Sequence, residues 1–379
     1  MAFYTYAGYP VLLWVLGRIR PYEVAGRGFP EGEWPTVSIS VPAYNEETQI
    51  RGLVESLLAL DYPRDRLQIL VVSDASSDQT DDIVAEYADR GVELLRMAER
   101  GGKTRAERAA AERIEGEIVV NTDASIRIDP ASLKRLVAAF TDPAVGLASG
   151  RDVSVTAATA EANVGEAGYV GYEMAVRDLE TRAGSIIGAS GCFYGIRAQL
   201  HRLPLPDALS RDFAAALHTL EQGYRAVSVP DAVCYVPRSA SLAQEYRRKV
   251  RTITRGIETL WHKRALLNPL GYGRYAWMLF SHKVCRWLLP WAALSAFAAV
   301  GVLAPTSTPA LGVFALGAIG LLLGGLGWFM ADRRAVPPIL RVPAYVLAGN
   351  AAAAHALLRA LHGDRDALWE PTRREPVTR

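Results

Sequence analysis

Cysteine is scarce. The chain of 379 residues has three, Cys192, Cys234 and Cys285, odd in number and without metal-ligand spacing. That excludes a disulfide framework and a zinc site built on paired cysteines, and it fits a reducing compartment for the soluble part. Net charge is nearly absent as well. Forty-two Lys and Arg stand against 40 Asp and Glu, a formal +2, so no nucleic-acid partner is expected. A phosphate-binding loop is incomplete. Gly101-Gly102-Lys103-Thr104 resembles the end of such a motif, but the position of its first glycine is Met97, which excludes a P-loop. A signal peptide is not indicated either. Phe3 to Leu16 is almost uncharged, Arg18 and Arg20 follow rather than precede it, and no small-residue cleavage site is evident.

Apolar residues are abundant. They make up 50% of the chain, with the excess at its two ends. Residues 1–20 are expected to form a short transmembrane helix, with Arg18 and Arg20 at its cytosolic end. Trp287 to Ala304 and Leu311 to Met330 are each long enough to span, with a turn at Pro305 to Pro309. Asp332-Arg333-Arg334 would then return to the cytosol. The Gly- and Ala-rich run Gly317 to Gly327 suits close helix packing in lipid. Val342 to Leu361 has two readings, because it contains Asn350, His355 and Arg359. If it spans, the basic tail 363–379 lies outside, against the charge rule. If it lies in the interface, the tail stays inside.

Between the ends, the pattern alternates strand and helix. Thr36 to Val41 reads as a strand ending at Pro42, and Glu46 to Leu60 as a helix with Ile50, Leu53, Val54, Leu57 and Leu58 on one face. Leu67 to Val72 is a second strand, and Asp78 to Arg90 a helix capped by Asp78 or Thr80. Val92 to Leu95, a helix over Thr104 to Ile114, and a strand over Glu117 to Asn121 continue the order. Such βαβα succession predicts a mostly parallel sheet with right-handed crossovers and ligands at the carboxyl ends of its strands.

Four polar turns fall at or near those ends. Asp74, after a strand, can accept bonds from ribose hydroxyls or a base N–H, or simply serve the helix that follows. Arg100 and Lys103 can balance a diphosphate or form a solvated basic turn. Asp123 ends a strand in Thr122-Asp123-Ala124-Ser125, a sparse oxygen set on which a hard cation would need substrate phosphates. Asp212 opens a helix, either to take a proton from an attacking hydroxyl or to complement the helix dipole. The small-residue loop Gly188-Ala189-Ser190-Gly191-Cys192 permits close approach of a bulky ligand, or is an ordinary turn. Gln244 to Lys263 carries an apolar stripe of Val250, Ile253, Ile257 and Leu260 beside Arg248, Arg251 and Arg255. It reads as an interfacial helix whose arginines face lipid phosphates or a nucleotide diphosphate.

In their order, these segments resemble the family 2 glycosyltransferases, above all the membrane-embedded branch with the cellulose, chitin and hyaluronan synthases. The resemblance covers about Val37 to Gly256. It implies a GT-A-type, Rossmann-like α/β domain with flanking transmembrane helices. It also implies an inverting transfer from a nucleotide-sugar, usually a UDP-sugar, to a saccharide or lipid-linked acceptor. Carried over by position, Ala43, Tyr44, Glu46, Asp74, Lys103 and Arg251 would hold the nucleotide. Asp123 and Ser125 would hold Mg²⁺ or Mn²⁺, Gly188 to Cys192 would line the acceptor, and Asp212 would be the catalytic base. Two departures stand out. The metal motif is usually Asp-x-Asp, and its third position here is Ser125. Where the synthases often carry Gln-x-x-Arg-Trp, this chain reads Arg248-Lys249-Val250-Arg251-Thr252, which keeps only Arg251 and makes processive growth less secure than transfer itself. The expected layout is a transmembrane helix at 1–20, a cytosolic GT-A domain at 36–240, interfacial helices at 241–285, a transmembrane region at 286–362 and a cytosolic tail at 363–379. That describes a multi-pass protein of the inner or plasma membrane. So few spans would wall off no polymer channel, so a homo-oligomer or an export partner is expected if a polymer is made.

Overall fold

The computed structural model describes residues 1–22, 28–155, 164–237, 241–331 and 336–363, without the side chains of 164–167. Of the expected tail at 363–379, all but Gly363 lies outside the described residues, as does the return at Asp332 to Arg334. The chain divides into two compact units. One is an α/β unit of residues 13–157 and 170–238. The other is a helical unit of residues 1–12, 158–169 and 239–365.

In chain order the elements begin with α1 (Tyr9–Ile19), β1 (Val37–Ala43), α2 (Ile50–Leu58), β2 (Leu67–Ser73), α3 (Thr80–Ala85) and β3 (Val92–Arg96). Then come α4 (Lys103–Ala111), β4 (Ile118–Thr122), β5 (Arg127–Ile128), α5 (Ser132–Ala138), β6 (Val145–Val155) and α6 (Val164–Ala183). The α/β unit ends with β7 (Phe193–Arg197), α7 (Ala198–His201), α8 (Arg211–Glu221) and β8 (Arg225–Pro237).

The eight strands form one sheet in the order β3-β2-β1-β4-β7-β6-β8-β5. β3, β2, β1 and β4 are parallel, as the alternating pattern predicts. The other half is mixed. β7 runs antiparallel to both β4 and β6, while β6 and β8 are parallel. The antiparallel insertion matters for the site, because Thr122 at the end of β4 pairs with Phe193 at the start of β7. The loop that precedes β7 is thereby delivered to the edge where Asp123 leaves the sheet. β1 is buried along its whole length, Ser38 and Ser40 included, as a strand in a sheet covered on both faces is. It also runs one residue past Pro42. Pro42 pairs with Val72 on the β2 side, while pairing with β4 has ended at Ser40, so the missing N–H costs no ladder bond. α2 begins later than its apolar pattern implied. The Glu46 amide bonds Thr80 Oγ1 and the Glu47 amide bonds Asp78, which holds that stretch as a loop. α2 then buries Ile50, Leu53, Val54, Leu57 and Leu58, the face read from the sequence.

The helical unit contains α9 (Leu242–His262), α10 (Pro269–Leu279), α11 (Cys285–Leu303), α12 (Thr308–Ala331) and α13 (Pro338–His362). α9 lays Val250 against Ala352 and Ala356 of α13, with Tyr246 and Ile253 beside them. The Tyr246 hydroxyl and His355 Nδ1 share a hydrogen bond of 3.0 Å. At the N-terminus, Trp277 Nε1 donates to the Tyr4 hydroxyl at 3.0 Å, and Tyr4 and Ser281 share a 2.6 Å bond. Two helical runs, Pro269–Leu303 and Thr308–Ala331, are long and apolar enough to cross a membrane. The first is broken at Gly273, whose φ is 49°. Their most apolar windows are only 6% and 11% buried within the chain. Core helices of a soluble domain would be mostly covered, so these faces need lipid or another partner.

α12 and α13 pack through small residues. A Cβ on Gly327 would lie 2.6 Å from the Leu340 carbonyl oxygen, and one on Gly324 would lie 3.0 Å from that of Pro343. Overpacking a tight contact typically costs about 1–3 kcal/mol. Gly327→Leu is therefore expected to lower the thermal midpoint of the protein in lipid nanodiscs, whereas Gly320→Leu, with nothing within 4 Å of its Cβ, leaves it within error. Equal effects at the two positions would contradict this packing.

Candidate active site

The polar turns at the sheet edge are tied together by backbone and side-chain bonds. The chain leaves β1 through Asn45, with φ of 52°, and leaves β2 through Ala75, with φ of 56°. Both are strained left-handed positions for residues that carry a side chain. Asn45 is held by its Oδ1, which accepts the Ser77 amide at 2.8 Å, and by its own amide, which reaches Ser76 Oγ at 3.2 Å. The buried Asp74 carboxylate accepts the Gly101 amide on Oδ1 at 2.6 Å and the Gly102 amide on Oδ2 at 2.8 Å. Gly102 has φ of 82°, and only glycine takes that value without strain. Asp74 thus fixes the Gly-Gly turn from which α4 starts, and Lys103 is the first residue of that helix.

Lys103 is the hub. Its Nζ lies 2.5 Å from Asp123 Oδ1 and 3.3 Å from the Gly191 carbonyl oxygen. Desolvation opposes its charge, but the carboxylates of Asp123, Glu107 and Asp212 outweigh this and hold the ammonium above its ordinary pKa. Asp123 Oδ2 faces the Cys192 thiol at 3.6 Å. Gly191 leaves room for Asp212, since a Cβ there would come within 3.2 Å of Asp212 Oδ2. Asp212 Oδ1 accepts the Ser210 hydroxyl at 2.8 Å. Lys103, Asp123, Gly191 and Asp212 all keep partial exposure, while Asn121, Thr122, Ser190 and Cys192 behind them are buried. The polar ends therefore open onto a surface that a ligand can reach.

The loop Gly188 to Cys192 is held from behind. The Ser190 amide bonds Ser149 Oγ at 2.8 Å, the Ser190 hydroxyl bonds Asp152, and Arg177 donates to the Ala189 carbonyl at 3.1 Å. Three residues before Lys103, the Arg100 guanidinium stacks 3.9 Å over the Tyr44 ring, a cation–π contact between the start of the Gly-Gly turn and the end of β1.

A fold of this kind implies a divalent metal. Among the described residues, no three His, Cys, Asp or Glu converge as a metal cage. Asp123, partly exposed at the end of β4, and Ser125 nevertheless offer oxygen ligands. A hard cation that takes Asp123, the Ser125 hydroxyl, water and the phosphates themselves as ligands fits that donor set.

Residues 38–201 match the family model "Glycosyl transferase family 2". They are a family 2 glycosyltransferase domain. An N-acetylglucosaminyltransferase of Mesorhizobium japonicum is 29% identical over 244 residues, 59% of this chain and 56% of the relative. A beta-monoglucosyldiacylglycerol synthase of Synechocystis is 33% identical over 117 residues, 30% of this chain and 24% of the relative. The chain thus spans little more than half of the first relative and about a quarter of the second. Among solved structures, the mannosyltransferase PcManGT of Pyrobaculum calidifontis, in complex with GDP-Man and Mn²⁺, superposes with a TM-score of 0.71 at 25% identity. The match covers 95% of this chain and 97% of that one. The α/β unit is of the GT-A type.

The glycosyltransferase domain brings most of the anticipated residues to one edge. Ala43, Tyr44, Glu46 and Asp74 end the first two strands, Lys103 meets Asp123, Ser125 follows two residues later, and the 188–192 loop abuts Asp212. Arg251 lies on α9 in the helical unit. Sequence reasoning missed Glu107, Arg211, Asp152 and Arg177. The first two are an ion pair, Arg211 Nε to Glu107 Oε2 at 3.0 Å, with side chains 9% and 0% exposed. His201 lies beside them. Its ring is buried with neither nitrogen hydrogen-bonded. Burial, with Arg211 and Arg202 nearby, depresses its pKa from 6.5 to about 3.

Two outcomes follow from these bonds. Asp74→Ala removes an acceptor of two backbone amides, each worth about 1.5–3 kcal/mol when charged. It should weaken nucleotide diphosphate binding measured by calorimetry, with a smaller loss for Asp74→Asn, and unchanged affinity in both would refute the bracing role. For His201, the unfolded chain gains a proton below pH 6.5 while the folded ring stays neutral down to about 3. Stability from this group is complete above pH 6.5 and declines on acidification, by up to about 1.4 kcal/mol per pH unit. His201→Leu should therefore flatten the fall in thermal midpoint between pH 6.5 and pH 4. An unchanged slope would show that the ring is not held neutral.

Proposed function

We propose that the chain is a membrane-bound inverting glycosyltransferase that moves one sugar from a nucleotide-sugar to a membrane-anchored acceptor. The observation that carries this reading is the single cluster of Lys103, Asp123, Gly191 and Asp212, in which Lys103 Nζ lies 2.5 Å from Asp123 and the Gly191 α-carbon borders the Asp212 carboxylate. In this reading Asp212 takes the proton of the acceptor hydroxyl, which attacks the anomeric carbon opposite the leaving nucleotide. Lys103 exchanges part of its contact with Asp123 for the diphosphate and holds the charge that develops there. Ala43, Tyr44, Glu46 and Asp74 hold the nucleoside, and Gly188 to Cys192 bound the acceptor. Mg²⁺ or Mn²⁺, held by Asp123 and Ser125, supplies further charge neutralisation at the leaving diphosphate when bound.

The donor base is either uracil, as the family resemblance implies, or guanine, as in the GDP-Man complex of the structural relative. A lipid acceptor is supported by the two apolar runs open to lipid and by the glycolipid named in the Synechocystis relative. Chain-lengthening in the manner of a polysaccharide synthase ranks second. It would need a homo-oligomer or an export partner, because the two candidate spans among the described residues are too few to wall off a channel.

Nucleotide diphosphate release in lipid nanodiscs, across UDP- and GDP-sugars with Mg²⁺ or Mn²⁺, tests the proposal. Asp212→Asn is expected to lower turnover by about 10²–10⁴-fold, the usual contribution of a general base, with nucleotide affinity kept within about threefold. Substantial turnover in that mutant would remove Asp212 from its role. Silence of the wild-type protein with every donor and acceptor would overturn the transferase reading. A ladder of product lengths on a primed acceptor would replace single transfer by polymerisation.

A further inference from the structure

Behind the cleft, the structure keeps a charge pair that local chemistry disfavours. Glu107 stands one helical turn after Lys103 on α4 and is fully buried. Its carboxylate accepts no hydrogen bond. Its close partner is Arg211, whose Nε lies 3.0 Å from Oε2. Arg211 is the first residue of α8. A cation there opposes the helix dipole, which favours negative charge at an N-terminus. Burial also raises the pKa of Glu107, with Arg211 and Lys103 opposing that shift. Each group is therefore costly where it stands, and each compensates the other.

The pair joins the two helix starts that present the reacting groups. α4 begins with Lys103, and α8 has Asp212 as its second residue. Asp212 has one local restraint, the Ser210 hydroxyl at 2.8 Å, and Ser210 belongs to the same turn. Beyond that turn, Phe213 to Thr219 bury the body of α8, and Arg211 ties down its first residue, with Nε on Glu107 and a terminal nitrogen 3.4 Å from the His201 carbonyl oxygen. We propose that Glu107 is a positioning residue for sugar transfer: through its ion pair with Arg211 it fixes the first turn of α8, and with it the Asp212 carboxylate, against the helix that carries Lys103. This rests on the transferase reading above, with Asp212 as the base.

The alternative is a pair that serves stability alone, and paired replacement separates the two. Glu107→Gln leaves Arg211 buried without its counter-charge and is expected to destabilise the protein. The double variant Glu107→Met/Arg211→Met replaces both charges by apolar groups of similar length, which commonly restores stability. Its thermal midpoint is expected to return to that of the wild-type protein. Its kcat is expected to stay low by roughly 10²-fold, the scale of a misplaced catalytic group, with nucleotide diphosphate affinity within about threefold. Glu107→Asp, which keeps the charge on a shorter arm, is expected to recover part of the rate. Amide hydrogen exchange gives a readout independent of turnover, and residues 208–214 should exchange faster in the double variant than in the wild-type protein, with the central strands unchanged.

A double variant that regains both midpoint and kcat would overturn the proposal, as would unchanged exchange at 208–214. If the wild-type protein transfers no sugar, the transferase reading fails on its own. The exchange experiment then decides by itself whether Glu107 anchors α8.

Discussion

One ammonium group organises the reaction edge of the α/β unit. Lys103 Nζ bridges the Asp123 carboxylate and the Gly191 carbonyl, so it joins the end of β4, the loop before β7 and the start of α4. Two backbone facts make this possible. The Asp74 carboxylate grips the Gly101 and Gly102 amides, which sets where α4 begins. The antiparallel pairing of Thr122 with Phe193 sets where the 188–192 loop enters. The Lys103–Asp123 pair is neither deeply buried nor free in water, with side chains 20% and 21% exposed. Its attraction is therefore stronger than that of a surface pair, yet open to exchange for a more highly charged phosphate partner.

Legibility from sequence followed the range of the interactions. β1 announces itself by alternation and β2 and β4 by short apolar runs, and their polar turns lie at or near the strand ends, so Asp74 and Asp123 were readable from local pattern. The antiparallel half was not. β6, β7 and β8 join segments far apart in the chain, and no local period encodes which strand lies beside which. The same limit hid Asp152 and Arg177, which act on the 188–192 loop from distant elements. Glu107 was hidden for another reason. In an Ala- and Arg-rich helix, a glutamate reads as part of the solvated face. The available hint was Arg211 at a helix N-terminus, where a cation calls for a buried counter-charge.

The helical unit packs in a manner that suits lipid. α12 and α13 meet through Gly324, Gly327 and a row of alanines, Ala344, Ala348, Ala352 and Ala356. In water such small residues would bury little area and contribute little. In lipid the gain comes from close backbone approach, and small residues are what permit it. α9 shows the transition between the two regimes. It buries Val250 and Leu260 of the expected apolar stripe, but also Glu245, Thr254 and Thr259, because it packs on the alanine face of α13 rather than on a bulky core. The Glu245 carboxylate stays tolerable there through Arg248, whose guanidinium reaches both of its oxygens at 2.7 Å.

Charge arithmetic joins the two halves of the site's chemistry. A nucleotide diphosphate would bring its own negative charge to an edge that already holds Asp123 and Asp212, with Lys103 and Arg100 as partly exposed cations beside them. Arg211 is paired with the buried Glu107. Lys103, 2.5 Å from Asp123, would be drawn between that carboxylate and the phosphates. In the proposed reading Asp123 and Ser125 would hold a divalent cation, which would supply positive charge beside the carboxylate and the diphosphate. Ser125 in place of a second acid offers a neutral oxygen ligand rather than further negative charge. Metal affinity in this chain should therefore depend on the donor being present, more than on the protein ligands alone.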